Sequence, residues 1–257
     1  KFIKNIEQNG GGRLLPVDSE HSALFQALKG ESPDHVKNVI ITASGGPFRT
    51  YSQKQIENVT KQQALNHPNW DMGPKITVDS ATMMNKGLEI IEACYLFNLR
   101  PDQVKALVHP QSVVHGFVQY EDDSLLAQCS SPDMKLPIQY ALFYPERRKS
   151  LIESISLDEA FQWEFEPVDT ERFPAFKLAR QALEEGGSYT AVLNAANEVA
   201  VGAFLNEEIE FMEIPRLVKR ALESHSDDTH SELEHLLEAD RWARQYVKDT
   251  LSERVAG

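Results

Sequence analysis

The chain has 257 residues, 41% hydrophobic and 25% charged, which suits one large globular domain or two modest ones. Its 39 acidic residues against 26 Lys and Arg leave a net charge of −13, which argues against a nucleic-acid surface, since binding phosphates at scale needs clustered cations. No apolar run approaches the roughly 18 residues that span a bilayer, and Cys94 and Cys129 make neither a disulfide framework nor a thiolate zinc site, so a reducing cytosol or stroma fits best.

The chain starts at Lys1, not Met, and is expected to belong to something longer. Residues 1–13 are polar and end in three glycines that lack the preceding strand and the spacing of a dinucleotide loop, so they read as a mobile lead-in. Leu14–Val17 reads as a brief strand and Ser22–Leu28 as a helix, which sets Asp18 and Glu20 at a strand-to-helix junction. Ligands bind at such junctions in open α/β sheets; a plain helix cap is the alternative. Val36–Ala43 is nearly continuous in apolar and β-branched residues and predicts an interior strand. It runs into Ser44-Gly45-Gly46-Pro47, where small residues admit close approach of a ligand and consecutive N–H groups can form an anion nest, or simply a turn.

Gln55–Leu65 predicts a short amphipathic helix. The loop from His67 to Gly73 is too rich in Trp and Met for a plain connector, and reads as a lid that excludes water, or as a loop whose Trp70 is packed in the core. Lys75–Val78 reads as a strand, with Asp79 or Ser80 capping the helix that follows. Met84, Leu88, Ile91 and Tyr95 recur at helical spacing and predict its buried face. At about 100° per residue, Asn85, Lys86 and Glu89 share a different face. An amide, a cation and a carboxylate thus project from a helix start that already favours anions. That is a phosphate site with a carboxylate beside it; a solvated helix face is the alternative.

Val104–Val108 is a third strand, and Val113–Tyr120 with Ser124–Cys129 a hairpin. His115 lies inside the hairpin, where a single histidine is more often structural than catalytic. Leu136–Phe143 reads as a helix and Pro145–Asp169 as a linker. Four helices follow: Pro174–Glu185, Tyr189–Asn206 (buried on most sides), Glu213–Ser224 and Ser231–Arg254. His225, His230 and His235 are expected at the surface and not as metal ligands. The predicted organisation is an α/β (α+β) domain over 1–145, with a small mixed sheet flanked by helices, a linker over 146–169 and a helical bundle over 170–257.

The segments Leu14–His21, Ser44–Arg49, His67–Trp70, Lys75–Glu89, His109–His115 and Asn194-Ala195-Ala196-Asn197-Glu198 occur in this order in one family. The chain resembles the 1-deoxy-D-xylulose 5-phosphate reductoisomerases over nearly its whole length, without the family's N-terminal NADPH-binding domain. The resemblance implies that Asp18, Glu20 and Glu89 hold Mg²⁺ or Mn²⁺, and three hard carboxylates suit those cations. It implies that Ser44, His67, Ser80, Asn85 and Lys86 hold the substrate, largely at its phosphate, and that Ser19 and Glu20 touch it near the metal. Glu20, Glu89 and His67 are then the residues closest to the chemistry, Trp70 and Met72 belong to a closing loop, and Gly73 touches NADPH. The family makes 2-C-methyl-D-erythritol 4-phosphate for isoprenoid synthesis by metal-assisted rearrangement and then hydride transfer. A phosphorylated deoxy-sugar substrate, a homodimer and a cytosolic or stromal location are implied, with neither nucleic acid nor membrane as partner. Two other functions fit the residues less well: a nicotinamide-independent phosphosugar isomerase or aldolase, and a non-catalytic dimerisation module.

Overall fold

The computed structural model describes residues 9–10, 12–158, 160–226 and 232–256, the last three without their side chains. In chain order the elements are α1 (Ser19–Ala27), β1 (Val36–Ala43), α2 (Gln53–Ile56), α3 (Lys61–Ala64), α4 (Pro74–Thr82), α5 (Met84–Phe97), β2 (Val104–Val108), β3 (Val114–Tyr120), β4 (Leu125–Cys129), α6 (Lys135–Phe143), β5 (Glu166–Pro167), α7 (Pro174–Glu185), α8 (Tyr189–Leu205), α9 (Glu213–Ser224) and α10 (Leu233–Ala256). Contacts group Lys1–Ser44 with Glu92–Val168 and, separately, Gly45–Ile91 with Asp169–Gly257. The chain therefore changes unit after Ser44, inside α5 and after Val168.

The first unit is built on a mixed sheet in the order β4-β3-β1-β2-β5. β1 is interior, as its apolar sequence predicts: it runs parallel to β2 and antiparallel to β3, with Val39 and Ile41 fully buried. Helix α1 packs on β3 through Ala23 and Leu24, and a Cβ on Gly116 would lie 3.3 Å from both Ile40 O and the Leu24 side chain. The predicted hairpin is β3 and β4. The linker is largely irregular, but Glu166 and Pro167 add a two-residue edge strand to β2, a position where proline's missing N–H is tolerated. His109 fastens this segment. Its ring stacks on Phe165 at 4.5 Å, Nδ1–H donates to Glu164 O at 2.8 Å, and Nε2 accepts from Val113 N.

In the second unit α8 is the central helix, with Val192, Leu193, Ala195, Ala196, Ala200 and Val201 inaccessible to solvent and α7, α9 and α10 around it. Phe48, Phe204 and Phe211 pack edge to face beneath it. All four predicted bundle helices are present.

Five expectations are corrected. Leu14–Val17 is not a strand; α1 begins at Ser19, three residues earlier than predicted, because Asp18 caps it. The single helix over 55–65 is two one-turn helices, each with its own capping box at Ser52 and Thr60. Lys75–Val78 is not a strand but the first half of α4. Pro74 at its first position and the Thr77 hydroxyl on Gly73 O at 2.8 Å start a helix that outweighs the β-branched side chains. Asp79 and Ser80 accordingly sit within α4, and the break comes at Met83, whose φ of 63 turns the chain into α5. In α5, Met84 and Ile91 are buried, but Leu88 is half-buried and Tyr95 exposed.

Candidate functional site

In the first unit the candidate residues gather at the start of α1. Asp18 accepts backbone N–H groups from Glu20 at 3.1 Å and His21 at 3.4 Å, so it is a helix cap and still a carboxylate pointed at the helix start. Ser19 Oγ donates to Glu20 Oε2. His21 is buried with Nδ1 3.5 Å from Asp18 and 3.6 Å from Glu92. The sequence reading passed over this histidine; its place three residues after an acidic cap was the available signal. A small polar cavity of about 10 Å³ is lined by both Ser19 and His115. His115 is buried in β3 with Nε2 3.2 Å from Ser130 O. Ser44 is half-buried just beyond the end of β1.

In the second unit the residues come from two helices and the loop before them. Lys86 and Glu89 are each 4% exposed and are bonded to one another, and Asn85 Nδ2 donates to Glu89 Oε1 at 2.5 Å. This burial excludes the solvated-face reading of the α5 start. His67 Nδ1 accepts from the backbone N–H of Asn69 at 3.1 Å and Trp70 at 3.0 Å. The neutral ring therefore carries its proton on Nε2, which donates to Ser80 Oγ at 3.1 Å. Burial lowers the His67 pKa, favouring that neutral form. Trp70 and Met72 are half-buried, so Trp70 is not locked in the core, and exposed Gly73 caps α4. Gly45 and Gly46 both have positive φ. A Cβ on Gly46 would lie 2.7 Å from Ser80 O, so the glycine turn rests directly on α4.

Two further residues take places that differ from those the sequence predicts. Asp79, one residue before Ser80, is 1% exposed and bonded to Lys75 and Asn197. His225, expected at the surface, is instead packed between Tyr189 and Trp242 with Nε2 2.7 Å from Ser188 Oγ. His235 is half-buried, and His230 lies outside the described residues.

Residues 14–97 match the family model of the 1-deoxy-D-xylulose 5-phosphate reductoisomerase C-terminal domain, and 129–246 match that of the DXP reductoisomerase C-terminal domain. The reductoisomerase of Chloroherpeton thalassium is 51% identical over 97% of this chain, and that of Chlorobium chlorochromatii 52% over 93%. The chain spans 64% and 62% of those proteins, less than two thirds of either. The Zymomonas mobilis reductoisomerase solved with NADPH superposes with a TM-score of 0.88 at 44% identity, covering 97% of this chain and 64% of that one. A reductoisomerase solved with NADPH, fosmidomycin and magnesium gives 0.90 at 41% identity, covering 97% and 66%. The chain belongs to the 1-deoxy-D-xylulose 5-phosphate reductoisomerase family.

Proposed function

We propose that this chain supplies the metal- and substrate-binding part of an NADPH-dependent reductoisomerase that converts 1-deoxy-D-xylulose 5-phosphate to 2-C-methyl-D-erythritol 4-phosphate. The observation that carries the reading is the Asn85-Lys86-Glu89 face at the start of α5, with Lys86 and Glu89 buried and bonded to one another. A cation and an amide held at a helix start are what a phosphate monoester needs. As a functional division we propose 1–145 for catalysis, 146–169 as a connector and 170–257 as a supporting bundle.

Asp18, Glu20 and Glu89 are the proposed ligands of Mg²⁺ or Mn²⁺. The donor set fits, since all three are hard oxygen donors and each is oriented by its own hydrogen bonds from Glu20 and His21 N–H, Ser19, or Asn85. When bound, the cation supplies Lewis acidity to adjacent substrate oxygens, and NADPH, approached by Gly73, supplies the hydride. The chain's own residues do the positioning. Ser44, Ser80, Asn85 and Lys86 hold the phosphate, and Ser19 and Glu20 orient the reacting end. His67 donates through Nε2 on the substrate side, while Trp70 and Met72 close over the site and exclude water. Because the phosphate does not react, its binding energy serves turnover as well as affinity.

A homodimer completes the reading. β4 is a sheet edge with Leu125 and Leu126 exposed, and α6 in the same unit exposes Ile138, Leu142 and Phe143. A second copy of the chain is the proposed cover. Cys94, buried, and Cys129, exposed, suit a reducing compartment, a bacterial cytosol or plastid stroma. Among the described residues no helix is long and apolar enough to cross a membrane.

The test is NADPH consumption with 1-deoxy-D-xylulose 5-phosphate, using the protein as its gene encodes it. Lys86→Ala should lower kcat/KM by about 10²-fold or more. A loss under threefold would remove Lys86 from the substrate site, and rearrangement without NADPH consumption would favour the nicotinamide-independent isomerase.

A further inference from the structure

The segment Asn194–Glu198 lies in the middle of α8, in the bundle, and none of the ligand roles above uses it. Its polar side chains nevertheless tie α8 to two other helices. Asn197, inaccessible to solvent, donates from Nδ2 to Asp79 Oδ1 at 2.8 Å. Asp79 is itself 1% exposed, and Lys75 Nζ lies 2.7 Å from its other oxygen. One residue along, Glu198 accepts from Asn194 at 3.1 Å and from Arg244 of α10 at 2.6 Å. Arg244 is held in turn by Asp240.

The Asp79–Asn197 bond is an expensive way to join two helices. Asn197 Oδ1 is buried without a hydrogen-bond partner among the described residues, a cost that an apolar pair of similar shape would not carry. Burial also pushes the Asp79 pKa up, against the pull of Lys75 and Asn197. The amide donor is thus part of what keeps this carboxylate in place. What the bond holds is α4, a helix of nine residues. The next residue on α4 is Ser80, whose hydroxyl meets His67, and three residues on Met83 turns the chain directly into Asn85 and Lys86.

We propose that Asn197 is a positioning residue, which through Asp79 fixes α4 so that Ser80 and the start of α5 present their groups to a phosphate. The inference rests on the reading of Ser80, Asn85 and Lys86 as phosphate contacts. It gives the bundle a part in substrate binding, which mere support of the fold would not.

The test is calorimetric titration of the chain with inorganic phosphate, alongside urea unfolding. Lys86→Ala reports on the site itself and should weaken binding at least tenfold. Asn197→Leu removes the donor, and Asp79→Leu with Asn197→Leu replaces both partners by apolar groups, a change that preserves folding where the single variant fails. In whichever of the two folds, phosphate binding should weaken at least threefold. Asn194→Ala, which breaks only the bond to Glu198, should bind within twofold of the parent. Less than a threefold loss in the folded tie variant, with Lys86→Ala weakened, overturns the inference and leaves the site intact. An equal loss in Asn194→Ala also overturns it, because general loosening of α8 would then be the cause. Parent-like binding by Lys86→Ala sinks the site reading and this inference with it.

Discussion

Lys86 and Glu89 are nearly as buried as the aliphatic side chains around them, and each is the other's bonded partner. A buried pair broken on one side leaves an uncompensated charge, which costs on the order of 3–5 kcal/mol. Glu89→Gln should therefore destabilise the chain in urea unfolding as well as remove one of the three proposed metal ligands. Calorimetry should show Mn²⁺ binding at least tenfold weaker, and unchanged affinity would strike Glu89 from the ligand set. Gly46 is constrained differently. Its φ of +66 is strained for any side chain, and an added Cβ would press on the backbone oxygen of Ser80. Gly46→Ala should cost about 1–3 kcal/mol of stability; a change below about 0.5 kcal/mol, the usual range of surface substitutions, would show that the turn has room to shift.

The His67 loop is an element held by a titratable ring. Its Nδ1 receives two loop N–H groups only while unprotonated. Because burial lowers the folded pKa below the ordinary 6.5, the unfolded chain takes up the proton first. The stability this provides is fully present above pH 6.5 and is lost as pH falls through the window beneath it. Acidification should shift the Trp70 indole resonance in that window, and a His67→Gln variant should show no such step. A step at or above pH 6.5 would contradict the assignment. Helices α5 and α7 approach so closely that a Cβ on Gly87 would lie 2.4 Å from the Ala179 Cβ. Gly87→Ala should accordingly destabilise by about 1–3 kcal/mol through overpacking, although alanine is the better helix former. Adding Ala179→Gly should recover part of that loss, and a more stable Gly87→Ala would refute the close packing. These contacts also mark where sequence reading stops. β1, the hairpin and the bundle helices were legible because their periodicity or apolar runs span whole elements. The strand expected at Lys75–Val78 failed because local β propensity lost to a proline start and to tertiary burial of Thr77, Val78 and Asp79. The Asn85-Lys86-Glu89 grouping was legible from helical phase alone, whereas its burial was not. Asp79 and Asn197 are 118 residues apart, and no local pattern announces their bond.

At the scale of the whole molecule, neither unit is a continuous piece of chain. Residues 45–91 carry His67, Ser80, Asn85, Lys86 and Glu89, yet their packing partners begin at Asp169. A polypeptide ending at Val168 should keep the mixed sheet, whose five strands all precede that point, and lose amide protection in α4 and in the part of α5 that precedes Glu92. Hydrogen exchange on that shortened chain checks the expectation; protected amides from Val78 to Ile90 would show that α4 and α5 fold without the bundle. The interleaving also sets a schedule for synthesis. The residues proposed for phosphate leave the ribosome well before α8, and at typical translation rates they wait on the order of 10 s for Asn197 to appear. For that interval Asp79 lacks its Asn197 donor and the apolar side of α5 has none of its α7 contacts. The nascent chain is then most exposed to misassociation in the stretch proposed to bind substrate, so the order of emergence makes the helices from Pro174 onward the step that completes it.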